Sequence, residues 1–574
     1  MTTAALHSSP EQLTAQRGGG ERMTRRRMGT VVLALIGLAA TTATAQSFRV
    51  QCPTFTITHP TEANNNAEPA YTGSTSFQNT DAANPAAGFL KPSANVNGAI
   101  KCQQISGGDG YATMADGTQT YMFSFGPLSG ISHIANGQPG TEFPSVFNTV
   151  APATLMPGDP ATSGIDFNGA VGLAPDIDNG NALDGHVDAR QIMDVGVMNG
   201  NIPAPLMAID EDDEFFLTLT NVGMIMRPDL FEQHTVHFHG YPNASAFYDG
   251  VPDASVAINI GGSFTYYYLA PDAGTYFWHC HITPPEHLQM GMVGQIYVRP
   301  RQNRVPVGNS LYAALQMQNG QASGQTVVDL RTVCNPDNDI LCTAVTPALN
   351  TVTQKVDLLT GQPYMYAYND GDASTAYDVE YPLQIHGFDP NFHFVGMTFN
   401  PEGFADMKDK YFLLNGRSYP DTVYSGTLKA TSAAMQTQTA DGASHFSQPL
   451  SANINIPAGG KALLRISDLD VSEYQTLASL GIPMHVIGYN AKLLRDQQGN
   501  NTDYCTNSIT LGGGESLDVI LDASDKTKYS SGQTFFLFTP NLDHLANDAE
   551  NFGGLMTEVH ICASVDPTTK TCSL

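Results

Sequence analysis

The chain has 574 residues, and its 54 acidic against 26 basic side chains give a formal net charge of −28. This length exceeds what one hydrophobic core supports, so we expect two or more domains. The acidic balance excludes nucleic acid and anionic membrane surfaces as natural partners, because both require clustered Lys and Arg. A cationic substrate or partner would suit it better, although an acidic exported protein whose charge has no specific role is the simpler interpretation.

The N-terminus has the order of a cleavable export signal. Three arginines at residues 25–27 precede an apolar run over residues 28–40, and an Ala-Thr-Ala sequence ends at Ala45. We predict a signal peptide over residues 1–45, and the arginines behind Thr24 also resemble a twin-arginine signal. No later run reaches the roughly 18 apolar residues of a membrane span, so the processed chain is expected without a membrane anchor, in the periplasm or secreted.

Short strand-like runs separated by turns follow along the chain. Together with 54 Gly and 35 Pro residues they predict an all-β protein built from sandwiches or barrels. The runs fall at residues 120–125, 215–220, 233–239, 263–269 and 275–281, and then at 364–368, 383–386, 462–466, 484–489, 517–521 and 535–538.

The two groups of runs predict two domains. We assign residues 46–300 to a first domain with long N-terminal and loop insertions, residues 301–350 to a linker, 351–565 to a second domain and 566–574 to a tail. Residues 46 to about 100 read mostly as coil, and the part of the chain before residue 195 suggests no function of its own. The acidic run at residues 211–214 is expected to be a solvated strand edge rather than a surface that collects metal ions.

Most of the eight cysteines are expected to form disulfides, because an exported protein meets an oxidising compartment. The pairs favoured by sequence separation are Cys334 with Cys342 and Cys562 with Cys572, and Cys52 with Cys102 is a further option. Cys505 is the candidate for an unpaired thiol. Cys280 is set apart, because it stands between two histidines.

Two histidine-rich segments carry the candidate chemistry, the first from His234 to Gly240 and the second from His279 to Met292. Successive side chains of a strand point to opposite faces, so His237 and His239 share one face while His234 points to the other. The same parity makes Cys280 point away from the histidines that flank it. Two ligand sets follow: a cysteine set of His234, Cys280, His287 and Met292, and a histidine set of His237, His239, His279 and His281.

Both ligand sets favour copper. One thiolate, two imidazoles and a thioether are the ligands of a blue copper electron-transfer centre, and four imidazoles suit further copper ions. Structural zinc is less consistent with this pattern, because it favours paired Cys-x-x-Cys spacing and a closed shell of four ligands. The backbone of Cys280 also joins the two sets covalently, which gives an electron a short route between them.

These two segments resemble the multicopper oxidase family, whose motifs are His-x-x-His-x-His-Gly and His-Cys-His followed by a further His and Gly-Met. The second block is most similar to two-domain small laccases through the run from His287 to Met292. The resemblance is strong over roughly residues 195–300 and loose over residues 350–565. It implies two cupredoxin-like, plastocyanin-like Greek-key β-sandwich domains, of which the second is degenerate.

The resemblance also implies the roles of the residues. Type 1 copper at the cysteine set would accept single electrons from a phenol, a metal ion or a redox protein, and Cys280 would pass them on. Type 2 and type 3 copper at the histidine set would reduce dioxygen to water. Asp249, in a Tyr-Asp-Gly sequence, matches an acidic residue that assists proton delivery, although a simple turn aspartate is an equal alternative.

The chain departs from the family pattern in two places. Residues 283–286 hold an apparent two-residue insertion beside the cysteine set, where Glu286 is expected to be an exposed loop carboxylate rather than an outer-shell group. In the second domain Tyr381 and Gln384 replace two histidines of the motif, and no cysteine block follows. The remaining histidines there are expected to be remnants without copper: His386, His393, His485 and His544.

Ligand counting then predicts an oligomer. A family cluster takes eight histidines and the first domain supplies four, so a second copy of the chain would complete it across a two-fold axis. Two other functions stay open: a type 1 copper electron-transfer or copper-binding protein without oxidase turnover, and a copper nitrite reductase. Nitrite reductases resemble the chain less, because they have alanine in place of His281 and lack the pair formed by His237 and His239.

Overall fold

The structure is a computed structural model that describes residues 48–71, 77–79, 90–92, 94–95, 97–150, 167–175, 183–241, 245–270, 272–306, 365–396, 403–424, 436–438, 444–496, 499–566 and 569–574. Strands hold 40% of the residues and helices 12%, which confirms the mostly β class. Among the described residues, none of the helices is long and apolar enough to cross a membrane. The predicted signal peptide lies outside them.

The N-terminal half contains twelve of the described strands and four short α-helices. The strands are β1 (Phe77–Asn79), β2 (Leu90–Pro92), β3 (Ile100–Thr113), β4 (Gln119–Pro127), β5 (Leu173–Pro175), β6 (Leu183–Val187), β7 (Met207–Asp210), β8 (Glu214–Gly223), β9 (His237–His239), β10 (Ser263–Leu269), β11 (Gly274–His279) and β12 (Val293–Arg299). The helices are α1 (Ile131–Ala135), α2 (Pro144–Phe147), α3 (Ala189–Gly196) and α4 (Pro284–Gln289).

The C-terminal half is again mostly strand. Its described strands are β13 (Met365–Tyr366), β14 (Ala376–Tyr377), β15 (Val379–Phe388), β16 (Tyr411–Leu414), β17 (Gln436–Gln438), β18 (Ser444–Phe446), β19 (Ile454–Pro457), β20 (Lys461–Asp468), β21 (Gln475–Leu480), β22 (Met484–Tyr489), β23 (Lys492–Leu493), β24 (Tyr504–Thr506), β25 (Ser508–Leu511), β26 (Glu515–Asp522), β27 (Thr534–Phe538), β28 (Met556–Cys562), β29 (Ser564–Val565) and β30 (Cys572–Ser573), and its described helix is α5 (Pro390–Gly396).

Each half forms a sandwich of two sheets. In the first sandwich the strand orders are β10-β8-β3-β4 and β7-β12-β11-β9, and in the second they are β16-β15-β20-β26-β22-β23 and β19-β28-β27-β21-β25. A separate apolar core fills each sandwich, around residues such as Trp278 in the first and Leu464 in the second. The predicted domain boundaries stay predictions, because residues 307–364 are not described.

Strand β3 was not predicted from the sequence, because three glycines interrupt it. At Gly107 the reason for glycine is visible: a Cβ atom there would lie 2.7 Å from Cδ2 of His234. The strand therefore needs glycine to let a histidine of the cysteine set lie against its backbone.

The acidic run at residues 211–214 is buried, and the expectation of a solvated edge was wrong. Arg301 and Arg304, which follow β12, lie against it. Nη2 of Arg301 is 2.6 Å from Oδ1 of Asp212, and Nε of Arg304 is 3.4 Å from Oδ2 of Asp210. Buried carboxylates require such partners, so the run joins β7 and β8 to the segment that leaves the first sandwich.

The cysteine predictions are confirmed where they can be checked. Disulfides join Cys52 to Cys102 and Cys562 to Cys572. Cys505 is unpaired and exposed, and Cys280 is unpaired and buried. The predicted pair at residues 334 and 342 lies outside the described residues.

A buried ion cluster joins the two sandwiches. Glu380 of β15 accepts from Arg299 of β12 at 2.6 Å and from Arg465 of β20 at 3.0 Å. Burial alone would raise the pKa of Glu380, but the two guanidinium charges outweigh it and hold the pKa well below its usual range. The Arg465 side chain is 0% exposed, and Glu380 is its nearest counter-charge, with Asp518 at 3.7 Å as a second one.

We predict that Glu380→Gln lowers the free energy of unfolding by about 3–5 kcal/mol, because it leaves a buried guanidinium without its counter-charge. Urea denaturation at neutral pH measures the loss. The matched control is Asp272→Asn, which removes an exposed ion pair with Lys492 between the same two sandwiches and should cost less than about 1 kcal/mol. Equal losses in the two variants would contradict the account.

Candidate metal centre

The cysteine set comes together in the core of the first sandwich. Nδ1 of His287 lies 3.3 Å from Sγ of Cys280, and Nδ1 of His234 lies 4.0 Å from it. The three residues are 1% exposed or less, and their ligand atoms lie within 4.8 Å of one another. Met292 is also fully buried, and its carbonyl accepts from the backbone N–H of Cys280 at 3.1 Å.

The electrostatics of this set favour a thiolate at Cys280. Burial alone would raise the pKa of the thiol, but the charges and hydrogen bonds of His287 and His234 outweigh it and hold the pKa well below its usual range. Burial also acts to lower the pKa of His287, whereas Cys280 and Glu232 raise it to about 9. The thiolate is the form of cysteine that binds a transition metal, and a metal ion would displace the proton from His287.

Two elements hold the histidines of this set in position. His287 lies on α4, the helix that the predicted insertion forms, and its carbonyl accepts from the N–H of Met292 at 2.9 Å. Strand β4 supplies two aromatic walls: the Phe123 ring lies 5.1 Å from the ring of His287, and the Phe125 ring 6.4 Å from that of His234. Strand β4 of the N-terminal region therefore helps to enclose the cysteine set.

The four residues of the histidine set also lie together. The ring centroid of His237 is 5.1 Å from that of His281, 5.2 Å from that of His279 and 5.7 Å from that of His239. Strand pairing causes this arrangement, because His279 of β11 stands directly opposite His237 of β9. Neighbours on one face of an antiparallel pair have their Cβ atoms only about 5 Å apart.

Burial favours the neutral form of three of these imidazoles. Burial lowers the pKa of His279 to about 3 and that of His239 to about 4, and it lowers the pKa of His237 as well. Nδ1 of His237 donates to the carbonyl of Asp249 at 2.7 Å, and Nδ1 of His279 donates to the carbonyl of Cys280 at 2.8 Å. Nε2 of each ring is therefore the atom left with a lone pair for a metal.

Asp249 lies beside the histidine set, as the resemblance implied. Its Oδ1 is 3.7 Å from Nδ1 of His237, and its side chain is 31% exposed. The turn that carries it packs closely on β9, because Gly250 has φ +80° and a Cβ atom there would lie 2.1 Å from the carbonyl oxygen of Val236. The backbone carbonyl of this turn bonds a candidate ligand, and the role of the Asp249 side chain stays a prediction.

A carboxylate that the sequence did not reveal lies next to the cysteine set. Oε2 of Glu232 is 3.6 Å from Nε2 of His287, and the Glu232 side chain is 31% exposed while that of His287 is 1% exposed. Glu232 stands two residues before the ligand His234 in the sequence, and this closeness is the signal that could have revealed it. Glu286 is half-buried rather than exposed, and burial raises its pKa.

A cavity of about 550 Å³ separates the histidine set from the second sandwich. Its wall in the first sandwich includes His239 and His279, and the residues from the second sandwich include no histidine among those described: Leu469, Asp470, Val471, Ser472, Glu473, Tyr474, Gly512, Gly513, Gly514 and Glu515. Gly514 has φ +103°, and a Cβ atom there would lie 3.5 Å from the His239 ring. The chain's own second sandwich therefore closes over this face.

The histidines of the second sandwich have protein partners instead of metal partners. Nε2 of His386 donates to the carbonyl of Leu288 at 2.7 Å, and Nε2 of His393 lies 3.0 Å from Oε1 of Gln289. The ring nitrogens of the other two are paired with side chains, His485 with Asp503, and His544 with Gln475, Glu473 and Asn541. That none of the four binds copper stays a prediction.

Two buried aspartates meet behind the cavity wall. Burial and the neighbouring carboxylate of Asp470 raise the pKa of Asp409 to about 8. Asp409 is 8% exposed and Asp470 2% exposed, and Oδ2 of Asp409 also accepts from the Ser472 hydroxyl. Asp409 therefore holds its proton more tightly than an ordinary aspartate, because a second carboxylate lies beside it in a buried position.

Residues 183–303 match the family model described as multicopper oxidase. Both ligand sets of the structure lie within that segment, and their chemistry fits the copper that this family binds: a buried cysteine with two histidines, and histidines grouped on one face. The recognition of the family from its two histidine segments is confirmed.

Individual relatives are also similar to parts of this chain. A laccase (abr2) of Aspergillus fumigatus is 34% identical over 109 residues, which cover 19% of this chain and 17% of the laccase. A copper-containing nitrite reductase of Rhizobium meliloti is 34% identical over 119 residues, covering 20% of this chain and 28% of the reductase. The chain thus matches less than a third of the length of these relatives. Among solved structures, a blue copper oxidase from Nitrosomonas europaea aligns with 80% of this chain and 85% of its own, at 16% identity and a TM-score of 0.43.

The aspartate pair predicts how stability depends on pH. The pKa of Asp409 in the folded chain, about 8, exceeds that of an unfolded aspartate, about 3.9. Its contribution to stability is therefore complete below about pH 4 and is lost as the pH rises to about 8. We predict that the unfolding free energy of the wild type, relative to Asp409→Asn, falls over this interval by more than about 1.4 kcal/mol, the free energy of one pKa unit.

Urea denaturation at several pH values measures this difference. The exposed Asp543 of the same sandwich provides the control variant Asp543→Asn, whose stability should stay parallel to that of the wild type over the interval. A constant difference between the wild type and Asp409→Asn would show that the pair is charged throughout.

Proposed function

We propose that this chain, whose residues 183–303 belong to the multicopper oxidase family, is a copper-dependent oxidoreductase that takes single electrons from a donor and reduces dioxygen. The observation that carries the proposal is the adjacency of the two ligand sets, since Cys280 of one set is bonded through its backbone to His279 and His281 of the other. Copper held in these sets would supply the one-electron redox chemistry.

The cysteine set is the proposed electron entry. His234, Cys280, His287 and Met292 would hold type 1 copper, and the buried position of the set keeps water away from it. The protein's task there is to hold a thiolate and two imidazoles in a fixed geometry and to expose one edge to the donor. His287 itself is buried, so the donor would reach this edge at the partly exposed Glu232, whose Oε2 lies 3.6 Å from Nε2 of His287.

The donor proposed at this edge is an organic molecule with an ionisable hydroxyl group, such as a phenol. Glu232 supplies a carboxylate that can accept the proton a phenol loses on oxidation. On the loop that leads to it, Ile225, Met226 and Phe231 are 56%, 51% and 83% exposed. Exposed apolar side chains next to a carboxylate suit an aromatic ring better than a hydrated metal ion.

The histidine set is the proposed site of dioxygen reduction. His237, His239, His279 and His281 would hold copper as type 2 or type 3 centres, next to the cavity of about 550 Å³. Asp249, which holds His237 through its carbonyl, is the proposed proton-assisting residue. Completion of the cluster by a second copy of the chain stays part of the proposal, and it requires the partner to reach a face that the second sandwich partly covers.

A copper protein without oxidase turnover is the second candidate. It is favoured by one observation, namely that the described residues of the second sandwich offer no histidine to the cavity. Dioxygen consumption with a phenol or a reduced dye separates the two functions.

A nitrite reductase is the third candidate, because one of the similar proteins is a copper-containing nitrite reductase, and nitrite-dependent oxidation of a reduced dye is the assay for it. An exported location, in the periplasm or outside the cell, also remains a proposal.

We predict that copper-loaded protein is blue and that Cys280→Ser abolishes the band, because serine cannot provide the thiolate that gives type 1 copper its strong visible absorption. Electron spin resonance of the same samples reports copper that remains in the histidine set. The exposed Cys505 gives the matched variant Cys505→Ser, which should keep the wild-type spectrum. A blue band that survives in Cys280→Ser would refute the assignment of the cysteine set.

We further predict that Glu232→Gln lowers kcat/KM for a phenol such as 2,6-dimethoxyphenol by about 10²-fold, because a general base contributes about 10²–10⁴-fold. Oxidation of ferrocyanide, which releases no proton, should not fall. Glu286→Gln, which changes a neighbouring half-buried carboxylate, is the control and should affect the phenol little. Equal losses with the two donors would contradict the proposed role of Glu232.

A further inference from the structure

The short helix α4 connects the two sandwiches. It contains only six residues, Pro284–Gln289, and a helix of this length is not stable by itself in water. His287 lies on the side of Cys280, whereas the next two residues, Leu288 and Gln289, contact the second sandwich. What holds these two residues therefore also sets the position of His287.

The backbone of Leu288 is held by His386 of β15. Nε2 of His386 donates to the Leu288 carbonyl at 2.7 Å, and His386 is 2% exposed. A carbonyl oxygen only accepts, so the bond fixes the tautomer of the imidazole with its proton on Nε2. His386 is the histidine that survives from the degenerate motif, and here it serves as a hydrogen-bond donor to the neighbouring sandwich.

The side chain of Gln289 is held at both ends. Its Oε1 accepts from the N–H of Asp389 at 3.1 Å and from Nε2 of His393 at 3.0 Å. Its Nε2 donates to Oδ1 of Asp409. Gln289 is 1% exposed, and both its amide oxygen and its amide nitrogen bond groups of the second sandwich.

The partners of α4 are themselves rigidly held. The His393 ring stacks on Phe388 with an interplanar angle of 5° and a centroid distance of 5.1 Å. Asp409 bonds Ser472 and pairs with Asp470 in the cavity wall. The side chain of Leu288 also packs with Leu469 of the second sandwich. Contacts of this kind keep one geometry, because moving α4 would break several buried bonds at once.

We propose that His386, His393 and Asp409, here named the α4 clamp, are positioning residues through which the second sandwich sets the place of His287 relative to Cys280. The inference rests on the proposed copper site at the cysteine set and adds a function for the second sandwich. Outer partners of a metal ligand tune affinity and potential without touching the metal. The second sandwich, which has lost its own copper ligands, thus acts on the copper of the first.

The test uses the full chain and three variants at buried histidines. His386→Leu removes the donor to Leu288, and His386→Gln keeps a donor of similar reach. His544→Leu is the matched control, because His544 is equally buried, at 1% exposed, in the same sandwich, and its ring nitrogens bond Gln475 and Glu473 rather than α4. Gln289→Met is the second disruptive variant, which breaks the other bonds of the clamp if His386→Leu fails to fold.

The first readout needs no copper. Hydrogen–deuterium exchange of the metal-free chain should be faster in residues 284–292 of His386→Leu than in the wild type, and unchanged there in His544→Leu. The second readout uses added Cu²⁺: the visible band, spin-resonance splitting and reduction potential should shift in His386→Leu, and copper affinity should fall by about tenfold, the lower end of outer-shell effects. His386→Gln should restore both.

The outcomes separate the clamp from the proposed function. If the wild type binds no copper at Cys280 while exchange still increases in the disruptive variants, the copper assignment fails and the clamp stands as a structural contact. If the wild type is blue but His386→Leu and Gln289→Met keep its spectrum, potential, affinity and exchange, the clamp is overturned. It is also overturned if His544→Leu causes the same changes.

Discussion

The pairing register between β9 and β11 is the constraint on which both ligand sets depend. His237 stands opposite His279 and His239 opposite Phe277, so the imidazoles share one face and Cys280 points to the other. A slip of one residue would move His237 and His239 to the opposite face and separate them from His279. The buried aromatic core around Trp278 and Phe238 opposes such a slip, because it would bring polar histidines into the apolar interior.

The second sandwich contributes structure where the sequence suggested only a degenerate copy. It closes the cavity in front of the histidine set with a glycine turn at Gly514, and it holds α4 behind the cysteine set through His386. The buried ion pairs of Glu380 with Arg299 and Arg465 hold the two sandwiches against each other. The second sandwich therefore supports both ligand sets through contacts that need no copper of its own.

Sequence patterns predicted the β class, the strand Ser263–Leu269 and the two ligand sets. These features depend on strand parity and on residue type, which can be read from short segments of the sequence. They did not predict β3, since its glycines argue against a strand until the neighbouring His234 is known. The burial of residues 211–214 and the partner of His287 were missed for a similar reason. Arg301 reaches Asp212, and Glu232 reaches His287, only in the folded chain.

The copper content of the purified chain tests the central claim most directly, namely that two adjacent ligand sets both hold copper. Native mass spectrometry of protein loaded with Cu²⁺ counts copper ions and chains in the same particle. The account predicts more than one copper per chain, in an oligomer if a second copy completes the histidine set. One copper per chain in a monomer would contradict it, because the histidine set would then hold no metal and electrons entering at Cys280 would have no second centre to reach.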